Sequence, residues 1–114
     1  MDEGKLAEWL LPLPVPDRVR ALTRIYSSLT VCSRELFLPD RFRGKETVVI
    51  EMLHGVNELH HTTANWLTAY TTDESKSLPV DGLARQLLQI ATHYRISGFL
   101  ASAIGFAQTG ARAD

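Results

Sequence analysis

The sequence predicts an all-α fold: an up-and-down helical bundle of three long helices plus a short N-terminal helix, completed by dimerisation. Three observations predict it. Three long segments repeat apolar residues at helical spacing. Proline and glycine fall between them, at Pro12, Pro14 and Pro16, at Pro39 and Gly44, and in the stretch Thr71 to Pro79. The last of the three segments also becomes apolar or small on every side, which asks for cover from beyond one small core.

The opening segment, Asp2 to Leu13, places Leu6, Trp9, Leu10 and Leu13 at helical spacing. So short a helix is unstable alone, so it must dock, with Trp9 closing one end of the bundle. The first long helix is expected over about Asp17 to Phe37. Pro16 suits the first turn and Asp17 sets a carboxylate at the positive end of the helix dipole. Val19, Leu22, Ile25, Tyr26, Leu29, Cys32, Leu36 and Phe37 fall on one side, opposite Arg20, Arg24, Arg34 and Glu35. Cys32 reads as an inert thiol at the edge of that stripe.

The second long helix is expected over about Thr47 to Tyr70. Its core face carries Val48, Val49, Met52, Leu53, Val56, Leu59, Thr63, Trp66, Leu67 and Tyr70, with His60 at the margin as a hydrogen-bonded core-edge histidine. The third is expected over about Val80 to Thr109, after a cap-and-proline start at Ser77-Leu78-Pro79. Leu83, Leu87, Ile90, Ala91 and Tyr94 give its first half one apolar stripe, and from Ile96 to Ala107 the apolar character runs all round. A dimer seam through Phe99, Leu100, Ala103, Ile104 and Phe106 would supply the missing cover. The recurrence of Ser97, Ala101 and Gly105 every four positions favours close helix approach. A membrane anchor fits less well, because Ile96 to Ala111 is shorter than the roughly 20 residues a span needs. On the apolar side of this helix Arg95 calls for a carboxylate, Glu58, Glu51 or Glu35, unless it snorkels to a helix edge.

Composition narrows the function classes. The 114 residues, 45% of them apolar, suit a single domain over residues 1–114. Twelve Lys+Arg against 13 Asp+Glu argue against a nucleic-acid binder, which needs a basic surplus. One cysteine gives neither a disulfide framework nor a multi-cysteine zinc site. Met1 to Leu10 carries four charges and reads as neither a signal nor a transit peptide, so a cytoplasmic protein is expected. The near-neutrality hides a division. Residues 17–45 hold seven Lys+Arg against three carboxylates, whereas residues 46–75 hold five carboxylates and no Lys or Arg. Such opposed segments set pairing order more than they add stability.

The most unusual feature is the polar side of the second long helix, where Glu51, His54, Glu58, His61 and Asn65 share one sector. Glu51-x-x-His54 and Glu58-x-x-His61 repeat one heptad apart, in the i,i+3 pairing that bundle-type di-metal carboxylate proteins use. Those proteins draw such motifs from two helices. Here both lie on one, with His54 and His61 separated by about 10 Å of helical rise. The third segment offers only His93, since residues 82–113 contain no Asp or Glu. A divalent transition metal therefore needs Glu51, His54, Glu58 and His61 with His93, or the same residues from a second copy. The simpler expectation is a set of surface Glu–His pairs with no cofactor. No Gly-x-Gly-x-x-Gly, Walker-type loop, Gly-x-Ser-x-Gly elbow or His-Glu-x-x-His is present.

Two functional expectations follow. The first is a non-catalytic interaction or regulatory protein acting as a homodimer, open to a protein partner. The second is a metal- or small-ligand-binding bundle, an enzyme in its strongest form, using the Glu/His side of the second long helix.

Overall fold

The computed structural model describes residues 3–34, 43–72 and 79–113. Among them are five helices and no strand: α1 (Glu3–Leu10), α2 (Val15–Ser33), α3 (Glu46–Thr72), α4 (Val80–His93) and α5 (Ser97–Ala113). The expected end of the first long helix, Leu36 and Phe37, lies outside the described residues, as does the side chain of Cys32. The second long helix is as expected, with one residue more at its start and two at its end.

The third expected helix is two helices. Its break is a helix stop built without glycine. The Ile96 N–H donates to the Ala91 carbonyl at 2.8 Å and the Arg95 N–H to the Thr92 carbonyl at 3.2 Å, the paired bonds of a Schellman motif. The residue that must turn left-handed is Arg95, at φ 59°. Glycine takes that conformation most readily, so the sequence carries no punctuation here. Burial of Ile96 against Ala91 adds the hydrophobic contact that accompanies the motif.

That break answers the question of cover. With α4 and α5 separated, α2, α3, α4 and α5 form a closed circuit in which α5 packs on α2 and α4, α2 on α3, and α3 on α4. Leu100, Ala103, Ile104 and Ala107 of α5 are buried in the same core as Leu22, Ile25 and Leu29 of α2 and Val56 and Leu59 of α3. The inner side of α5 is therefore covered within the chain, chiefly by α2, because the turn at Arg95 folds α5 back.

The short α1 docks on α4 through Leu6 and Leu10, both fully buried, with Trp9 and Leu13 packed at the edge. Its C-terminal carbonyls are capped from α2. Arg18 donates through Nε to the Leu10 carbonyl at 3.1 Å and through a terminal guanidinium nitrogen to the Leu11 carbonyl at 2.7 Å. This one side chain satisfies acceptors that a helix end leaves open and fixes the Pro-rich bend between α1 and α2.

α3 crosses the α4–α5 turn at Gly55. A Cβ built there would lie 2.6 Å from the Tyr94 Cβ and 2.8 Å from the Ile96 Cδ1. Only a glycine permits this approach, which seats Tyr94 over α3. The first turns of α3 meet the core only through half-buried side chains, Val49, Met52 and Leu53. Val48, expected on the core face, is 48% exposed, and no residue before Gly55 on this helix is buried.

Candidate functional site

The Glu/His row is real as a row: Glu51, His54, Glu58 and His61 are all exposed on α3. Three of them share one open depression of about 430 Å³, lined by His54, Asn57, Glu58, His61 and Thr62. Glu51 stands two turns before Glu58 and does not line it. His93 lies on α4 beside a second depression, of about 370 Å³, with Arg85, Leu88, Gln89 and Thr92.

Within one copy these donors do not converge. Among the described residues no group of three or more His, Cys, Asp or Glu is arranged to hold a metal ion. The reason is helical geometry, since seven residues separate His54 from His61, about 10 Å along the axis. The ring of His93 meets that of Tyr94 edge-on at 4.8 Å.

One contact near the depression has no sequence signal. The Tyr94 hydroxyl donates to Glu58 Oε1 at 2.9 Å, tying the α4–α5 turn to the middle of α3. Donation to a carboxylate holds the Tyr94 proton and raises its pKa above the ordinary 10.0. The contact depends on the left-handed turn at the next residue and on the missing Cβ of Gly55, so periodicity cannot find it. Of the two expectations for Arg95, the carboxylate-paired one is corrected and the helix-edge one fits better, since Arg95 is exposed at the turn. Glu58, one of the partners expected for it, is bonded to Tyr94 instead.

His60 occupies the core margin between α3 and α2. Its Nε2 is hydrogen-bonded with Thr30 Oγ1 at 3.1 Å, and Thr30 Oγ1 also lies 3.3 Å from the Tyr26 carbonyl. The imidazole leans on the Tyr26 ring at 4.8 Å. Burial pushes its pKa below the ordinary 6.5.

The five residues expected in the dimer seam divide. Leu100, Ala103 and Ile104 are buried inside the chain, and Phe99 is half-buried against the same core. Phe106 is 61% exposed, the most open large apolar side chain among the described residues. It stands at one edge of an outer face whose other members, Gly98, Ala101, Ser102, Gly105 and Thr109, are all small or polar. No charged residue occurs in α5 before Arg112, so this exposed face is uncharged. No described helix is long and apolar enough to cross a membrane.

No family model matches the chain, and neither a curated protein nor a solved structure matches it.

Proposed function

We propose that this chain is a non-catalytic interaction or regulatory protein of the cytoplasm, a helical bundle that works as a homo-oligomer through the outer face of α5. The observation that carries the reading is Phe106, 61% exposed on a helix face without charge. Isolated exposed apolar residues are ordinary. Here the surrounding face also lacks the Lys, Arg, Asp and Glu that keep a solvated helix soluble, as the core of a protein interface does. Light scattering on purified protein over a range of concentrations tests the reading. A particle mass above that of one chain, rising with concentration, is expected. A single-chain mass throughout rejects the homo-oligomer.

The depression on α3 supports a second reading, a site for a divalent transition metal or a small polar ligand, with catalysis as its furthest extension. His54 and His61 flank Glu58, whose carboxylate Tyr94 orients, and a second copy would double the donor set. Metal analysis of protein prepared without a histidine tag decides it. Stoichiometric metal that disappears from a His54→Ala/His61→Ala variant supports the site. Traces that persist unchanged in that variant remove it.

A further inference from the structure

The depression on α3 is built around a carboxylate that a second element holds in place. Tyr94, at the turn between α4 and α5, donates its hydroxyl to Glu58 Oε1 at 2.9 Å. An ionised carboxylate accepts about four hydrogen bonds, so Glu58 keeps its second oxygen and most of its capacity for a ligand. Two locally unfavourable features produce this contact. Gly55, in mid-helix, lets the turn approach α3, and Arg95 takes the left-handed conformation that seats Tyr94 there. Backbone conformations of that kind gather at ligand clamps, where the surrounding fold holds a group ready for what it must meet.

The rest of the lining selects the ligand. His54 and His61 stand about one turn to either side of Glu58 on the same exposed wall, with Asn57 and Thr62 beside them. Neutral imidazoles, the Asn57 amide oxygen and the Thr62 hydroxyl all accept hydrogen bonds. Residues 46–75 contain five carboxylates and no Lys or Arg, so α3 brings no cation of its own to Glu58. A cation with several donors therefore fits. Transition metals are held by three or four converging donors, and no such group exists among the described residues. Between organic cations the open setting decides. An ammonium is strongly hydrated and gains little where water has free access. A guanidinium is more weakly hydrated, carries its donors in a planar fork and stacks on aromatic rings.

We propose that this depression binds a guanidinium group, its N–H donors shared between Glu58 and Asn57 and its plane laid against a flanking imidazole. The inference rests on the small-ligand reading of the depression and names the chemistry of that ligand. A free guanidinium compound and an arginine side chain of another chain present the same group. Because the depression is open, the charge pair is largely solvated, and binding is about millimolar and weakens with salt.

The test is a nuclear magnetic resonance titration of the full chain with methylguanidinium at pH 8 and fixed ionic strength. The His54 and His61 rings and the Asn57 side-chain amide should shift saturably. Glu58→Gln keeps an oxygen for the Tyr94 hydroxyl, so the fold is retained, and it should weaken binding about tenfold or more. A second readout is specific to the carboxylate. The bound cation offsets the charge that holds the Tyr94 proton, so methylguanidinium should bring the phenol's raised titration back toward the ordinary 10.0 in the parent and not in Glu58→Gln. No saturable shift, equal affinity in Glu58→Gln, or equal binding of methylammonium overturns the proposal. Zinc that binds and is lost from His54→Ala/His61→Ala, with methylguanidinium silent, overturns it while leaving a ligand site on α3. Silence of both probes overturns the proposal and the reading beneath it. The peptide acetyl-Gly-Arg-Gly-amide separates the sources: binding as tight as that of methylguanidinium assigns the site to an arginine side chain, and its exclusion to a free compound.

Discussion

At the scale of single residues, two positions turn local chemistry into measurable behaviour. At Gly55 two effects oppose each other. Alanine gains about 1 kcal/mol of helix propensity over glycine. Its Cβ, however, overlaps Tyr94 and Ile96 at 2.6 and 2.8 Å, and the Tyr94 atom it meets is the Cβ, anchored to the backbone and unable to swing aside. Overpacking of that kind costs about 1–3 kcal/mol, so the clash wins. Gly55→Ala should lower the urea midpoint and break the Tyr94–Glu58 bond, returning the Tyr94 phenol toward its ordinary titration in an absorbance titration. An unchanged midpoint would show that α3 does not meet the turn this closely. His60 gives the pH dependence. Its folded-state pKa lies below the unfolded value of 6.5, with Tyr26 and Thr30 of α2 as the groups that meet it. The unfolded chain then binds a proton that the fold holds off. The contribution of neutral His60 is complete above the unfolded value and is lost as the pH falls through it toward the lowered one. Denaturation midpoints should fall across that window, and His60→Gln should flatten the fall. An equal slope in the variant would place the titrating group elsewhere.

At the scale of elements, the α4–α5 break shows what a sequence conceals. Proline and glycine announced the other boundaries, and apolar spacing placed Leu83, Leu87, Leu59 and Leu22 in the core, where they are fully buried. The segment from Val80 to Thr109 kept its helical periodicity through residues 94–96, because the residue that turns left-handed there is an arginine. The chain is driven into that conformation by what lies on either side. Ile96 is buried only if the helix stops, and the inner side of α5 reaches α2 only if the chain turns back. The same concealment applies to the Glu/His row. Its residues were legible as one exposed side of α3, whereas the Tyr94–Glu58 contact needs the turn and was not. Arg95→Gly isolates the conflict between local preference and tertiary demand. It removes the left-handed penalty of about 1–2 kcal/mol and adds the flexibility cost of glycine, about 0.5–1 kcal/mol. A net gain of about 0.5–1 kcal/mol in denaturant unfolding is expected from those terms. A loss of stability would mean that the arginine side chain contributes at the turn.

At the scale of the whole molecule, the two sides of α5 have separate duties, and this separation can be measured. Had α5 been a helix waiting for a partner, its apolar residues would add little to the folding of one chain. Instead Leu100, Ala103 and Ile104 lie in one core with α2 and α3, and Phe106 alone of the large apolar residues on this helix is left well exposed. The tryptophans report from elsewhere, Trp9 on α1 and Trp66 on α3, where its indole N–H donates to Gln86 at 3.0 Å. Ile104→Ala removes buried volume about as Leu59→Ala does, and each should cost about 2–5 kcal/mol. If the closed circuit folds as one unit, Ile104→Ala shifts the tryptophan-fluorescence transition and the circular-dichroism transition together, by an amount comparable to Leu59→Ala. A fluorescence transition that stays in place while helix signal is lost early would mean that α5 melts separately. The circuit would then be open until a partner closes it. Phe106→Ala provides the contrast, since its ring lies mostly outside that core. It should leave the dilute unfolding midpoint nearly unchanged while altering only the mass of the particle in solution.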